Sequence, residues 1–317
     1  MIVSWTILSY EQRGHMELAM IGLGRMGANM SRRLCKGGHR VVGYNRSPEI
    51  TRQLAEEIGL VPSLSLEEGT RLLKQPRVVW CMVPAGEVTE QTIRRLAELL
   101  SPGDTVIDGG NSNFNDSMRR AGYLAERSIE FLDVGTSGGI WGLTEGYSLM
   151  IGGKRELVDR LKPIFATLAP GPDKGWGYVG PYGAGHFVKM VHNGIEYGMM
   201  EAYAEGFELL RARQDFALDL HQVAEIWRYG SVVRSWLLDL AALALRDDPE
   251  LSEIRGWVAD SGEGRWTVME AVRNDVPLDV IATALFKRFA SRQDESYAAR
   301  LLAALRKEFG GHEFKRE

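Results

Sequence analysis

The ten residues Leu18-Ala-Met-Ile-Gly-Leu-Gly-Arg-Met-Gly27 constrain this chain more than any other stretch, because they read as a short apolar strand running into Gly-x-Gly-x-x-Gly. In such a turn Gly22 permits the tight bend, Gly24 lets the backbone approach a pyrophosphate, and Gly27 lets the following helix pack close to the strand. The amino terminus of that helix offers N–H groups and the positive end of a dipole to the phosphates. A glycine pattern alone is weak. Here it stands in context, with a helix-forming run over 29–36, a Gly37-Gly38 stop and a second strand over 40–44. Gly22, Leu23, Gly24, Arg25, Met26 and Gly27 are therefore expected to hold a dinucleotide.

The tip of the second strand bears on which dinucleotide. An acidic residue there would bond the adenosine ribose and repel a 2′-phosphate. This chain has Asn45-Arg46-Ser47 instead. A neutral side chain followed by a guanidinium suits a phosphate and favours NADP over NAD, with Arg46 as an ordinary solvated loop residue the alternative.

Further strand-like runs at 77–83, 105–108 and 130–134 alternate with helix-like stretches. That alternation calls for an α/β fold with a Rossmann-type, doubly wound parallel sheet whose ligand crevice lies at the strand carboxyl ends. Val83, Pro84, Ala85 and Asn111 fall at such ends and join the expected cofactor contacts. The pattern continues through a strand over 147–152, a helix over 154–168 and a strand over 176–179. From residue 184 the periodicity is almost wholly helical, and its first element is a single helix to about residue 213. The expected organisation is an extension over 1–15 outside the core, a dinucleotide domain over 16–181 and an all-helical substrate and oligomerisation domain over 182–317.

On the first long helix Lys189, His192, Asn193 and Glu196 stand three, four and seven residues apart, which gathers a base, an acid and two hydrogen-bonding groups on one face. That is a catalytic layout. A solvated face and a structural Lys189–Glu196 ion pair are the alternatives, although a buried ion pair adds little net stability. A lone helix histidine is more often packed or solvated than functional.

Taken together these residues resemble the 6-phosphogluconate dehydrogenases (decarboxylating), within the wider β-hydroxyacid dehydrogenase superfamily. The likeness runs from Met16 to about Phe314. It is carried by the Gly-Leu-Gly-x-Met-Gly loop, Asn45-Arg46-Ser47, Asp108-Gly-Gly-Asn-Ser112, Ser137-Gly-Gly139, His192-Asn-Gly-Ile-Glu-Tyr197 and a tail holding Arg306, Phe309-Gly310 and His312. Two departures stand out. Ile140-Trp141-Gly142 follows Ser137-Gly-Gly139 where longer members carry acidic residues and a further glycine. At 317 residues the chain also looks like a short form with one helical unit in place of two.

The resemblance implies Lys189 as the base that takes the 3-hydroxyl proton and Glu196 as the acid that protonates carbon 1 after decarboxylation. No metal is required, because a lysine ammonium and nearby donors can polarise the developing carbonyl, and the sequence offers no cluster with metal-ligand spacing. A lysine acting as base near neutrality needs its pKa lowered, which desolvation and neighbouring cations supply. Asn111, His192 and Asn193 would orient substrate hydroxyls and the nicotinamide, while Ser137, Gly138 and Gly139 would meet the substrate carboxylate. For the phosphate of a small phosphorylated sugar acid the resemblance points to Tyr197, Arg265, Arg288, Arg306 and His312. Arg265 stands where longer members show Lys, which keeps the charge and changes the geometry. Because relatives send this tail into a neighbouring subunit's site, a homodimer or homotetramer with a shared site is expected. A non-decarboxylating β-hydroxyacid dehydrogenase acting on a smaller acid, and a non-catalytic dinucleotide-binding protein, remain open as alternatives. The first would need Lys189 without Glu196 or the basic tail.

Composition excludes several other partners. No apolar run approaches the roughly 20 residues of a membrane span, and a formal net charge of −4 gives no reason to expect nucleic acid or an anionic membrane. Cys35 and Cys81 sit in apolar settings that suit reduced core thiols in a cytoplasmic chain. Residues 1–15 lack the basic region and cleavage site of a secretory signal.

Overall fold

The computed structural model describes residues 14–310 and residue 313, and the chain divides into two compact units between Met190 and Val191. In the first unit the strands are β1 (Glu17–Ile21), β2 (Arg40–Tyr44), β3 (Val61–Ser63), β4 (Val78–Cys81), β5 (Thr105–Asp108), β6 (Glu130–Ser137), β7 (Ser148–Gly153) and β8 (Trp176–Gly180). They form one sheet in the order β3-β2-β1-β4-β5-β6-β7-β8. Its helices are α1 (Arg25–Lys36), α2 (Pro48–Ile58), α3 (Leu66–Arg71), α4 (Glu87–Leu99), α5 (Phe114–Ala125), α6 (Gly142–Glu145), α7 (Arg155–Arg160) and α8 (Lys162–Leu168).

The central strands are largely apolar because both faces of the sheet are covered. Side-chain alternation sends Leu18, Met20, Val41, Val78, Trp80 and Ile107 to one side, against Met30 and Leu34 of α1 and Phe165 of α8. The same alternation sends Ala19, Ile21, Val42, Val79 and Val106 to the other, against Ile93 and Leu96 of α4 and Leu124 of α5. The strand order reverses between β1 and β4, so the crevice of a doubly wound sheet opens at their carboxyl ends.

Three details depart from the sequence reading. The sheet is not parallel throughout, since β7 runs antiparallel to β6. Residues 138–147 are too few for the crossover that a parallel neighbour requires. The helix expected over 154–168 is two helices, α7 and α8, meeting at Leu161. Pro163 explains the break, for it has no N–H to give a continuing helix and is tolerated in the first turn of a new one. The short strand β3 escaped notice because it contains Pro62, and it lies at the sheet edge where a proline costs little.

The helix α9 (Ala184–Ala212) is continuous, as its periodicity predicts. It is followed by α10 (Leu220–Trp227), α11 (Trp236–Asp247), α12 (Glu263–Arg273), α13 (Asp279–Ala290) and α14 (Tyr297–Gly310). Asp219 and Ser235 cap α10 and α11 by accepting from the backbone N–H of Gln222 and Leu238. The second unit has two small cores. Ala224, Leu238, Ala242 and Leu245 form one, and Tyr197, Ala284 and Leu285 form the other.

Candidate active site

The loop between β1 and α1 is shaped by sterics before any ligand is considered. Gly22 has φ +93°, and a Cβ there would strike the Met82 carbonyl of the neighbouring strand end. A Cβ at Gly27 would strike the Gly22 carbonyl, so the helix can approach the strand only with glycine at that position. Gly24 caps α1 with no heavy atom within 4 Å of where its Cβ would be. The first turn of α1 has neither a side-chain cap nor an acidic residue, which leaves its N–H groups to an anion. These features fit a dinucleotide pyrophosphate. Asn45, at the end of β2, accepts a hydrogen bond from the Leu23 N–H at 3.0 Å and thereby holds the loop, while Arg46 and Ser47 stay exposed beside it.

Val83, Pro84 and Ala85 follow β4, and Asn111 follows β5, all at the carboxyl edge of the sheet. The residues beneath them escaped the sequence reading. Arg120 of α5 is 2% exposed and donates to Asp108 at 3.0 Å, to Glu90 at 3.2 Å and to the Gly86 carbonyl at 3.4 Å. Asp108 also accepts from Ser112 Oγ at 2.7 Å. A buried guanidinium shared among these groups ties the loop carrying Asn111 to the one after Ala85. An arginine on an otherwise apolar helix face was the only advance signal.

The start of α9 is fixed by a carboxylate from the sheet. Asp133, fully buried on β6 and paired in register with Asp108 on β5, accepts from the N–H of Gly183 at 2.7 Å and of His186 at 2.9 Å. Two of the orphan N–H groups at the helix end are thus satisfied by an anion, which also suits the helix dipole. The helix lies directly on the strand. A Cβ at Gly135 would collide with the Lys189 side chain, and one at Gly185 with the Asp133 carbonyl. Lys189 is 7% exposed. Ser137 ends β6, and Gly138 and Gly139, with φ +131° and +52°, turn the chain away from it. The departure at Ile140 and Trp141 leaves both side chains exposed, while the Ile140 carbonyl accepts from Asn29 of α1 at 3.4 Å.

Farther along α9, His192 Nδ1 lies 2.9 Å from Asn193 Oδ1 and 3.9 Å from Glu196 Oε2. Asn193 is buried and donates through Nδ2 to Glu263, the first residue of α12, at 2.5 Å. Glu263, two residues before Arg265, has no role in the sequence reading, and it is 2% exposed. Tyr197, the residue after Glu196, accepts from the Ser261 N–H at 3.2 Å and carries the Arg288 guanidinium over its ring at 3.6 Å. Arg265 stacks on Phe289 at 4.3 Å and binds Asp260 through two hydrogen bonds of 2.8 and 3.0 Å. Arg292, absent from the sequence reading, binds the same carboxylate at 2.9 Å. The Arg265 and Arg292 guanidiniums hold the Asp260 carboxyl at about 2, Arg265 contributing most, against a burial effect that pushes it up. Tyr197, Arg265 and Arg288 therefore gather around one end of α12. Arg306, exposed on α14, has no hydrogen bond or ion pair to that group among the described residues, and His312 lies outside the described residues.

Comparison with known proteins matches this arrangement at both ends. A model described as the NAD binding domain of 6-phosphogluconate dehydrogenase matches residues 17–180, and one described as the 6-phosphogluconate dehydrogenase C-terminal domain matches residues 185–308. The NAD(+)-dependent, decarboxylating 6-phosphogluconate dehydrogenase of Haloferax volcanii is 44% identical over 303 residues, which are 95% of this chain and 99% of the relative. The enzyme of the same description from Bacillus subtilis is 37% identical over 89% of this chain but only 63% of its own length. Among solved structures, the Plasmodium falciparum 6-phosphogluconate dehydrogenase superposes with a TM-score of 0.81 at 29% identity, covering 95% of this chain and 66% of that one. With both domain models matched in order and a relative matched almost end to end, the chain belongs to the 6-phosphogluconate dehydrogenase family.

Proposed function

We propose that this chain oxidises and decarboxylates 6-phospho-D-gluconate to D-ribulose 5-phosphate and CO2, reducing NADP or NAD. The observation that supports the reading is the stacking of Arg288 on Tyr197, which brings a guanidinium beside the residue that follows Glu196 on the helix that bears Lys189, His192 and Asn193.

In this reading the loop 22–27, Asn45, Arg46 and Ser47, residues 83–85 and Asn111 bind the dinucleotide, which supplies the hydride acceptor when bound. Lys189 takes the proton of the 3-hydroxyl as its carbon gives up the hydride. The carboxylate of the resulting β-keto acid, held by Ser137, Gly138 and Gly139, leaves as CO2, its bonding electrons remain on the substrate, and Lys189 returns its proton to the 3-oxygen to give an enediol. Glu196 then gives its proton to carbon 1 as Lys189 takes back the enol proton. A half-exposed carboxyl suits that last step, since it can be reprotonated from solvent. Arg265 and Arg288 with Tyr197 take the phosphate, and Arg292 steadies Arg265 through Asp260.

The active unit in this proposal is at least a dimer. Support comes from the apolar side chains that the helical unit leaves exposed, among them Ile195, Met200, Val272, Val280 and Phe286. Arg306 and His312 would serve a neighbour's phosphate site. The test is a single assay that follows CO2 release and nicotinamide reduction together, with NAD and with NADP, on gluconate and 6-phosphogluconate. Stoichiometric release only from the phosphorylated acid is expected. Reduction without CO2, or equal turnover of unphosphorylated gluconate, would overturn it.

A further inference from the structure

We infer that Glu263 acts through Asn193 to decide which ring nitrogen of His192 carries the proton. The Glu263 carboxylate is 2% exposed and receives two side-chain donors, Asn193 Nδ2 at 2.5 Å and Ser261 Oγ at 2.9 Å. Both donors reach the same oxygen, Oε2, which accepts from each. The Asn193 amide therefore has one tolerable orientation, because flipping it would press its carbonyl oxygen against a carboxylate in a buried site. Its Oδ1 is turned towards His192 and lies 2.9 Å from Nδ1. An amide oxygen is likewise only an acceptor, so Nδ1 must be the donor. Glu196 Oε2 is at 3.9 Å and beyond hydrogen-bond range.

In the neutral ring, a proton on Nδ1 leaves Nε2 as an acceptor. A substrate hydroxyl meeting His192 through Nε2 then donates to it. With the other tautomer, the same nitrogen would donate to the hydroxyl oxygen and leave its proton pointing elsewhere. Glu263 is thus a positioning residue, 70 positions from Asn193 in the chain, whose effect is felt two side chains away. The consequence for catalysis rests on the proposed role of His192 as a hydroxyl partner, whereas the tautomer itself does not.

The experiment reads the tautomer in the free protein. Two-bond proton–nitrogen correlation spectra of protein labelled with nitrogen-15 in histidine, with His192 assigned by its loss in His192→Gln, should show the Nδ1–H form in the parent. Glu263→Met, which removes the acceptor, should shift His192 towards the Nε2–H form. Glu263→Gln should retain the Nδ1–H form, since its side-chain oxygen still accepts from Asn193. Activity of Glu263→Met on 6-phosphogluconate should fall about tenfold or more, mainly in kcat, with dinucleotide affinity unchanged. If Glu263→Met does not fold, Glu263→Asp draws the carboxylate back by one methylene and should shift the tautomer in the same direction. An Nε2–H tautomer in the parent, or an Nδ1–H tautomer that persists in Glu263→Met or its substitute, overturns the inference. A parent with the expected tautomer and no decarboxylating activity would instead sink the proposed substrate and leave the relay standing.

Discussion

Lys189 is buried against β6 while Glu196 keeps 38% of its side chain exposed, and that contrast sets what each substitution should do. Lys189→Ala, which removes the proposed base, should abolish turnover. Glu196→Gln should lower kcat by about 10² to 10⁴-fold and leave dinucleotide and substrate affinity largely intact, because general acids and bases supply that range. Steady-state kinetics with binding titrations decide this, and near-normal turnover in either variant removes the role assigned to it. Asp260 gives a prediction in pH. Its folded value of about 2 lies below the ordinary carboxyl value of roughly 4, so the stability it contributes is present above pH ~4 and lost as pH falls through about 2. Asp260→Asn should therefore be less stable than the parent at neutral pH, with the difference closing between pH ~4 and ~2. Denaturant midpoints measured across that range check it, and a constant difference would refute it. These residues also show where sequence reading stops. Lys189, His192, Asn193 and Glu196 are legible because helical spacing alone gathers them. Glu263 and Asp260 are not, because their partners are fixed by tertiary packing and nothing in the local sequence marks either acid.

At the scale of elements, the legible features are those with a strong period. The apolar runs of β1, β4 and β5 and the continuous pattern of α9 can be read because burial on both sheet faces, or a long helix, demands them. The direction of β7 depends on the length and path of a loop, and the break between α7 and α8 on one proline, so hydrophobic periodicity is silent on both. How α9 is anchored was hidden for a similar reason. Asp133 ends no recognisable capping motif, and it meets Gly183 and His186 from 50 and 53 residues away. The N-terminal turns of α9 carry Lys189, so the anchor matters to the site as well as to the fold. Asp133→Asn replaces one acceptor with a donor facing the same N–H groups. It should cost roughly 1–3 kcal/mol of stability, and kcat should fall as Lys189 loses its fixed seat on the strand. Thermal unfolding and kinetics together test this. Unchanged stability would mean that packing at Gly135 and Gly185, without the carboxylate, holds the helix.

At the scale of the whole molecule, the proposed phosphate site bears on how chains assemble. Tyr197, Arg265 and Arg288 gather within one chain, yet Arg306 makes no hydrogen bond or ion pair to them among the described residues. In the proposed shared site a neighbour's tail would reach this group, with the exposed apolar side chains of the helical unit forming the contact between chains. A chain truncated before Arg306 should then keep its dinucleotide affinity, since the loop at Gly22 to Gly27 lies in the other unit, and lose affinity for 6-phosphogluconate. Mixing it with a full-length Lys189→Ala chain should restore activity. In a mixed dimer, the truncated chain contributes an intact Lys189 and its partner contributes the tail, so one of the two sites is complete. Activity should rise with the fraction of mixed dimer, to a ceiling of about half the parent's sites if one site per dimer works independently. If mixed dimers form and no activity returns, the tail serves its own chain and the shared site is wrong.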